Sequence, residues 1–256
     1  MIEPRTTELR DNERIDDLLT HELRIIQSSD VFSFSLDAVL LARFCSVPAK
    51  GHIVDLCSGN GVIPLLLSTR TKAAITGVEI QELLWDMAVR NVRMNGLDDQ
   101  IDIRLGDLRD ISAPFRPGGA QLVTVNPPYI PVNGSSHINE NKHVAIARHE
   151  VACTLDDVIA ASSRLLMTGG KLALVHRPTR LGEIFAVLRR FRLEPKRIRY
   201  VHPRIDAEAN MVLIEALRDG KPELRTMPPL IVYDDNGQYC RELLQVYYGE
   251  VSVLKG

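Results

Sequence analysis

Four consecutive residues, Asn126-Pro127-Pro128-Tyr129, follow the apolar run Gln121–Val125. Two prolines in a row fix φ and remove two backbone donors. The end of the run is therefore rimmed by acceptors: the Asn126 side-chain oxygen and nearby carbonyls. Tyr129 adds an aromatic face beside them. A planar NH2 group, from an amide or an aniline-like ring amine, suits this rim, donating its N–H groups while its plane lies on the tyrosine. The plain alternative is a rigid Pro-Pro turn.

A second constellation lies upstream. The run His52–Leu56 leads directly into Asp55-Leu56-Cys57-Ser58-Gly59-Asn60-Gly61. Gly59 and Gly61 allow a tight turn and close approach of backbone to a ligand, and the helix that follows offers free N–H groups. A dinucleotide fits only in part, because the third glycine of GxGxxG is replaced by Pro64. A carboxylate at Asp55 would repel a pyrophosphate but suits an ammonium or sulfonium group. That combination points to S-adenosyl-L-methionine. Glu79 is placed to accept from ribose hydroxyls, and Asp107 from an adenine amino group. Cys57, Ser58, Asn60, Ile80, Leu108 and Asn126 complete the candidate cofactor set. Three acids after three successive strands, with a Gly-x-Gly turn, are hard to assign to solvated surface. This setting also argues against a bare turn at Asn126–Tyr129.

The elements that must position these residues alternate. Strands are expected at His52–Leu56, Ala74–Glu79, Ile101–Leu105, Gln121–Val125, Lys171–His176, Arg197–His202 and Met211–Ala216. Helices are expected at Leu36–Phe44, Gly61–Ser68, Glu82–Asn95, Leu155–Met167 and Leu181–Phe191, with Ser35 capping the first and Gly169-Gly170 stopping the fourth. This order predicts an α/β domain with a mostly parallel sheet, whose ligands sit beyond the carboxyl ends of the strands. Before it, Ile15–Leu19 and Leu23–Gln27 suggest a hairpin. After it, Leu230–Tyr233 and Tyr239–Tyr248 suggest a strand and a helix. The expected organisation is residues 1–34 as an N-terminal extension, 35–217 as the catalytic domain and 218–256 as an appendage on it. Ile130–Glu150 has no period and reads as a long loop of the kind that is either functional or disordered.

The motifs Asp55–Gly61, Glu79, Asp107 and Asn126-Pro127-Pro128-Tyr129 resemble those of class I SAM-dependent methyltransferases that act on planar nitrogen. The segment Phe32–Ala42, with Ser35 and Asp37, is similar to the bacterial tRNA adenine-N6 methyltransferase family that modifies an anticodon-loop adenosine of valine tRNA. The resemblance covers most of the chain and departs at Cys57, where many such motifs place glycine. It implies a Rossmann-like class I methyltransferase fold, a seven-stranded sheet with helices on both faces. It also implies that Asn126, Pro127, Pro128 and Tyr129 hold the target base and that Ser35 and Asp37 line the methionine end of the cofactor.

The composition, 45% hydrophobic and 25% charged residues, is ordinary for a globular protein and excludes general disorder, a collagen-like fibre and a disulfide scaffold. The four cysteines form no CxxC, which argues against zinc and disulfides. The N-terminus Met-Ile-Glu-Pro-Arg shows no signal-peptide pattern, so a cytoplasmic location is expected. The seven histidines form no ligand set, and no metal is expected. The net charge of -2 hides an asymmetry: Lys171–Arg204 holds ten Lys/Arg against Glu183 and Glu194, a local +8. Such asymmetry suggests a polyanion; the resemblance implies that it is RNA, in particular tRNA, with Arg148, His149, Arg197 and Arg199 as candidate contacts, and a solvated face is the bland reading. Two rivals stand beside this one. A protein-glutamine methyltransferase uses a similar Asn-Pro-Pro-Tyr turn but carries a substantial helical N-terminal domain. A non-catalytic RNA-binding module would not need Asp55, Glu79 and Asn126. Trp85 reads as helix-surface packing.

Overall fold

The computed structural model describes residues 8–18, 20–29, 31, 36–110, 117–129 and 153–248. An antiparallel hairpin, β1 (Glu13–Asp17) and β2 (Arg24–Ser28), comes first. Then follow α1 (Leu36–Phe44), β3 (His52–Leu56), α2 (Val62–Ser68), β4 (Ala74–Glu79), α3 (Glu82–Met94), β5 (Ile101–Leu105) and β6 (Ala120–Val125). The second half contains α4 (Leu155–Leu165), β7 (Leu166–His176), α5 (Leu181–Arg190), β8 (Leu193–His202) and β9 (Met211–Arg218). Two short strands, β10 (Arg225–Thr226) and β11 (Leu230–Ile231), and helix α6 (Arg241–Tyr248) end the described chain.

The principal strands lie in the order β8-β9-β7-β6-β3-β4-β5, and β9 runs antiparallel to both neighbours. These are the seven strands expected from the sequence. The sheet as a whole has nine, a correction to the expected count, because β10 and β11 each add two residues in parallel register to the outer edge of β8. Pairs this short carry almost no periodicity, so pattern reading cannot find them.

Alternation along the strands sends side chains to two cores. Ile53, Ile75, Leu122, Val175 and Leu213 pack with α1 and α2 on one face. Val54, Val78, Val123, Leu174 and Ile214 pack with α4 and α5 on the other. Helix α4 opens with a capping box: Asp157 N–H donates to the Thr154 hydroxyl, and Thr154 N–H donates to the Asp157 carboxylate. It ends at Leu165, and Gly169-Gly170 lie inside β7 instead of stopping the helix. There the register between β6 and β7 shifts and Gly169 takes φ 77°, a conformation that favours glycine.

The hairpin is fastened to α3 by its backbone. Asn91 Oδ1 accepts from Ile26 N–H at 2.7 Å, and the Asn95 amide bonds both N–H and C=O of Arg24. The Arg90 guanidinium meets the Glu13 carboxylate with both Nη groups. Trp85 packs on the core and donates Nε1–H to the Ile103 carbonyl. Adjacent β3 and β6 carry the chain in opposite directions across the sheet, so their carboxyl ends form the switch point at which such sheets hold ligands.

Candidate active site

The turn after β3 is set by the chain path. Cys57, Gly59 and Gly61 take φ values of 56°, 57° and 85°. Cys57 thus adopts a left-handed conformation that a β-carbon disfavours. At Gly61 a β-carbon would also lie 3.2 Å from that of Ala88 in α3. Gly77, on neighbouring β4, is needed for a different reason: a β-carbon there would lie 2.6 Å from Ser58 Oγ. The absent side chain makes room for Ser58 to donate to Asp55 at 2.7 Å.

Asp55 itself is 0% exposed. Its other oxygen accepts from Thr124 Oγ1 at 2.6 Å. Burial pushes its pKa up to about 7, and the two hydroxyls only partly offset that. Its side chain therefore braces the turn. Asn60 is likewise turned inward, donating to the Ile26 carbonyl, while fully buried Asn91 donates to the Asn60 carbonyl. The hairpin, α3 and the cofactor turn are one hydrogen-bonded unit.

Glu79 ends β4 with its carboxylate under the same turn. It accepts from Gly59 N–H at 2.8 Å and Gln81 N–H at 2.9 Å, with Ile80 N–H also donating. Burial still holds its pKa above the ordinary range. Beside it Ile80 is 42% exposed, an apolar surface next to a hydrogen-bond acceptor. Asp107 is engaged by its neighbour, its carboxylate accepting two bonds from Arg109 Nε and one from Nη2, which holds its pKa low. The Leu108 side chain is in the core, so only its backbone is available to a ligand.

At the end of β6, the Tyr129 hydroxyl donates to Asp37 Oδ2 at 2.7 Å and also lies against Asn126 Oδ1. Asp37 is in the first turn of α1 and accepts from Ala38 N–H through its other oxygen. Burial and the Asp37 carboxylate raise the Tyr129 pKa well above its usual value, so the phenol stays protonated. The Tyr129 ring meets His176 edge to face, centroids 5.1 Å apart. His176 Nδ1 accepts from Arg177 N–H at 2.8 Å, which puts the ring proton on Nε2, an atom buried without a hydrogen-bond partner. Burial, with Arg180 nearby, pushes its pKa down to about 4 and keeps it neutral. Arg177 follows as an exposed residue whose charge reaches Tyr129.

Residues 22–191, more than half of the chain, match the model of the methyltransferase small domain. The chain belongs to that family. A relative from Porphyromonas gingivalis (strain ATCC BAA-308 / W83), named tRNA1(Val) (adenine(37)-N6)-methyltransferase, is 28% identical over 232 residues, covering 87% of this chain and 89% of the relative. One of the same name from Aeromonas hydrophila is 28% identical over 213 residues, covering 82% and 86%. Among solved structures, a predicted O-methyltransferase from Agrobacterium tumefaciens superposes with a TM-score of 0.66 at 22% identity, covering 82% of this chain and 95% of that one. A geranyl diphosphate C-methyltransferase from Streptomyces coelicolor A3(2) gives 0.53 at 18% identity, covering 70% and 78%. These two share the fold.

In this methyltransferase the arginines expected to meet a polyanion point elsewhere. Arg197 Nη2 donates to the Phe44 carbonyl at 2.6 Å, its guanidinium stacks on the Phe44 ring, and it pairs with buried Glu215. Arg199 donates to the Pro228 carbonyl and pairs with Glu242 of α6. One ties β8 to α1, the other to the C-terminal tail. Ser35, Arg148 and His149, and the Ile130–Glu150 segment, lie outside the described residues. Sequence reading missed Asn91, Gly77, His176 and Arg177. The last two had a usable signal, since they stand at the carboxyl end of a strand in a sheet whose ligands bind there.

Proposed function

We propose that this methyltransferase transfers a methyl group from S-adenosyl-L-methionine to the exocyclic amino nitrogen, N6, of an adenine in tRNA. The observation that carries this reading is the adjacency of two built ends: the Glu79-braced turn after β3 and the Asn126–Tyr129 rim after its sheet neighbour β6. The shared name of the relatives supports the same reading. Bound S-adenosyl-L-methionine supplies an electrophilic methyl on a cationic sulfur, and Glu79, Ile80 and the Gly59–Gly61 backbone are the groups to hold it.

The chain's own residues then do the orienting. The adenine amino lone pair is delocalised into the ring and is a poor nucleophile. Donation of its N–H bonds to Asn126 and to the Pro127 carbonyl localises electron density on nitrogen and fixes its direction. No strong base is needed, since the proton leaves after the cationic product forms. Orientation supplies most of the acceleration. The base must leave its stack, which costs a few kcal/mol, least in a single-stranded loop. Exposed Arg177 and Arg204, which follow β7 and β8 at the ligand edge, are the phosphate contacts we favour among the described residues, with Arg148 and His149 as further ones. A cytoplasmic site of action belongs to this reading; among the described residues no helix is long and apolar enough to cross a membrane, and no His/Cys/Asp/Glu group could hold a metal.

The test is direct. Purified protein, S-adenosyl-L-methionine and tRNA from cells lacking the enzyme are incubated, and the nucleosides are analysed by mass spectrometry. N6-methyladenosine is the expected product. Unmodified tRNA alongside methylation of a glutamine peptide would overturn the reading in favour of a protein amide.

A further inference from the structure

We propose that Asp37 and the Tyr129 hydroxyl form a relay that sets the orientation of the Asn126 amide, so that its oxygen is presented to the substrate. The inference rests on the methyl-transfer reading above and names positioning residues for it.

The argument begins with a proton count. A phenol carries one proton, yet Tyr129 Oη lies within bonding reach of Asp37 Oδ2, at 2.7 Å, and of Asn126 Oδ1. One hydroxyl cannot donate to both. The amide oxygen and nitrogen of asparagine are alike in shape, so the hydrogen-bond network decides which faces a partner. Donation to the carboxylate is the stronger bond. The hydroxyl then offers its lone pairs to the asparagine, and the Asn126 NH2 turns to donate to Tyr129 Oη. In that arrangement every contact is satisfied, and Asn126 Oδ1 is turned away from the tyrosine with its lone pairs available to an incoming N–H.

Two neighbours restrict the alternatives. Asp37 is buried in the first turn of α1, where its other oxygen accepts from Ala38 N–H, so the carboxylate is held in place. His176 packs its ring against that of Tyr129, and its Nδ1 is occupied by Arg177 N–H. The imidazole therefore fixes the phenol plane without offering the hydroxyl an acceptor. Asp37 acts on the reacting atoms through Tyr129 and Asn126. The Tyr129 ring face and its hydroxyl have separate duties.

The relay predicts an unusual order of damage. Tyr129→Phe removes the clamp and lets the amide rotate, so single-turnover methylation at saturating S-adenosyl-L-methionine should slow about tenfold, with the KM for tRNA unchanged. Asp37→Ala leaves the hydroxyl with only Asn126 to donate to, which turns the amide the wrong way and occupies its oxygen. It should be worse, about a hundredfold. The double variant should recover to the Tyr129→Phe level, and Asp37→Asn, which retains an acceptor for the phenol, should keep most of the rate. Additive losses in the double variant, or wild-type chemistry in Tyr129→Phe, would overturn the relay. The side-chain amide protons of Asn126, followed by NMR in the protein without RNA, give a second measurement. They should be protected from exchange in the wild type and lose protection in Tyr129→Phe; indifference to that substitution would also overturn it. If wild-type protein methylates no tRNA, the substrate reading fails while the NMR result still decides the relay.

Discussion

At the end of β4 the key acid is held by the backbone: Glu79 accepts from Gly59, Ile80 and Gln81. At the end of β6 the key groups are held by other side chains: Asn126 by Tyr129, Tyr129 by Asp37 and His176. Backbone donors belong to the path of the chain and return to the same place whenever the turn forms. Of these side-chain partners Asp37 and His176 come from distant positions, and each is a separate point of failure. The first arrangement suits a cofactor of constant shape. The second suits a target group that must be aimed.

The comparison can be broken most severely at Asn126. Asn126→Ala should slow single-turnover methylation about a hundredfold to a thousandfold, the usual cost of one preorganised electrostatic partner, with S-adenosyl-L-methionine affinity unchanged by calorimetry. A near-normal rate would remove the amide from the chemical step. Glu79→Ala should act on the other side, weakening S-adenosyl-L-methionine about tenfold to a hundredfold. Because Glu79 also anchors Gly59, faster amide exchange at Gly59 should accompany the loss of affinity; a folded variant with unaltered affinity would take Glu79 out of the site.

A milder pair separates inward from outward arginines. Arg177→Ala should flatten the log–log salt dependence of tRNA binding by about one unit of slope, the signature of one lost phosphate contact. Arg197→Ala should leave that slope alone and lower the melting temperature, because it removes the guanidinium that stacks on Phe44, bonds its carbonyl and pairs with buried Glu215, leaving Glu215 to Ser46 and Lys171. The reverse pattern would return Arg197 to the RNA surface.

The smallest expected effect tests Asp55 by pH. Burial holds its pKa at about 7 in the folded chain, against 3.8 for an ordinary aspartate. The native state thus keeps a proton that the unfolded chain releases, so Asp55 lowers stability progressively as pH rises from about 4 to about 7. Asp55→Asn removes that dependence. Its melting temperature relative to wild type should be about 5 °C more favourable at pH 8 than at pH 5. An equal offset at both pH values would mean that the carboxyl does not titrate in this window.

Most of the fold was legible in the sequence, because strand and helix periods, the Gly-x-Gly turn and the acids after strands are local signals. The hairpin was found, with its strands displaced by one or two residues. The direction in which a polar side chain turns is not local. Ser58 and Asn60 read as cofactor ligands, yet their side chains brace Asp55 and the hairpin. Tyr129 read as a stacking face, while its hydroxyl partner Asp37 lies 92 residues away. Arg197 and Arg199 carried the same charge signal as Arg177, and only the tertiary packing of β8 distinguishes them.

That packing has a consequence for how the molecule keeps to itself. Strand β8 is one of the two outer members of the seven, β5 being the other, and the edge of a sheet offers unpaired N–H and C=O groups to any extended chain. The short strands β10 and β11 occupy that edge, and Arg199 fastens the tail that carries them. Detaching the tail would therefore leave the outer edge of β8 unpaired where β10 and β11 now lie.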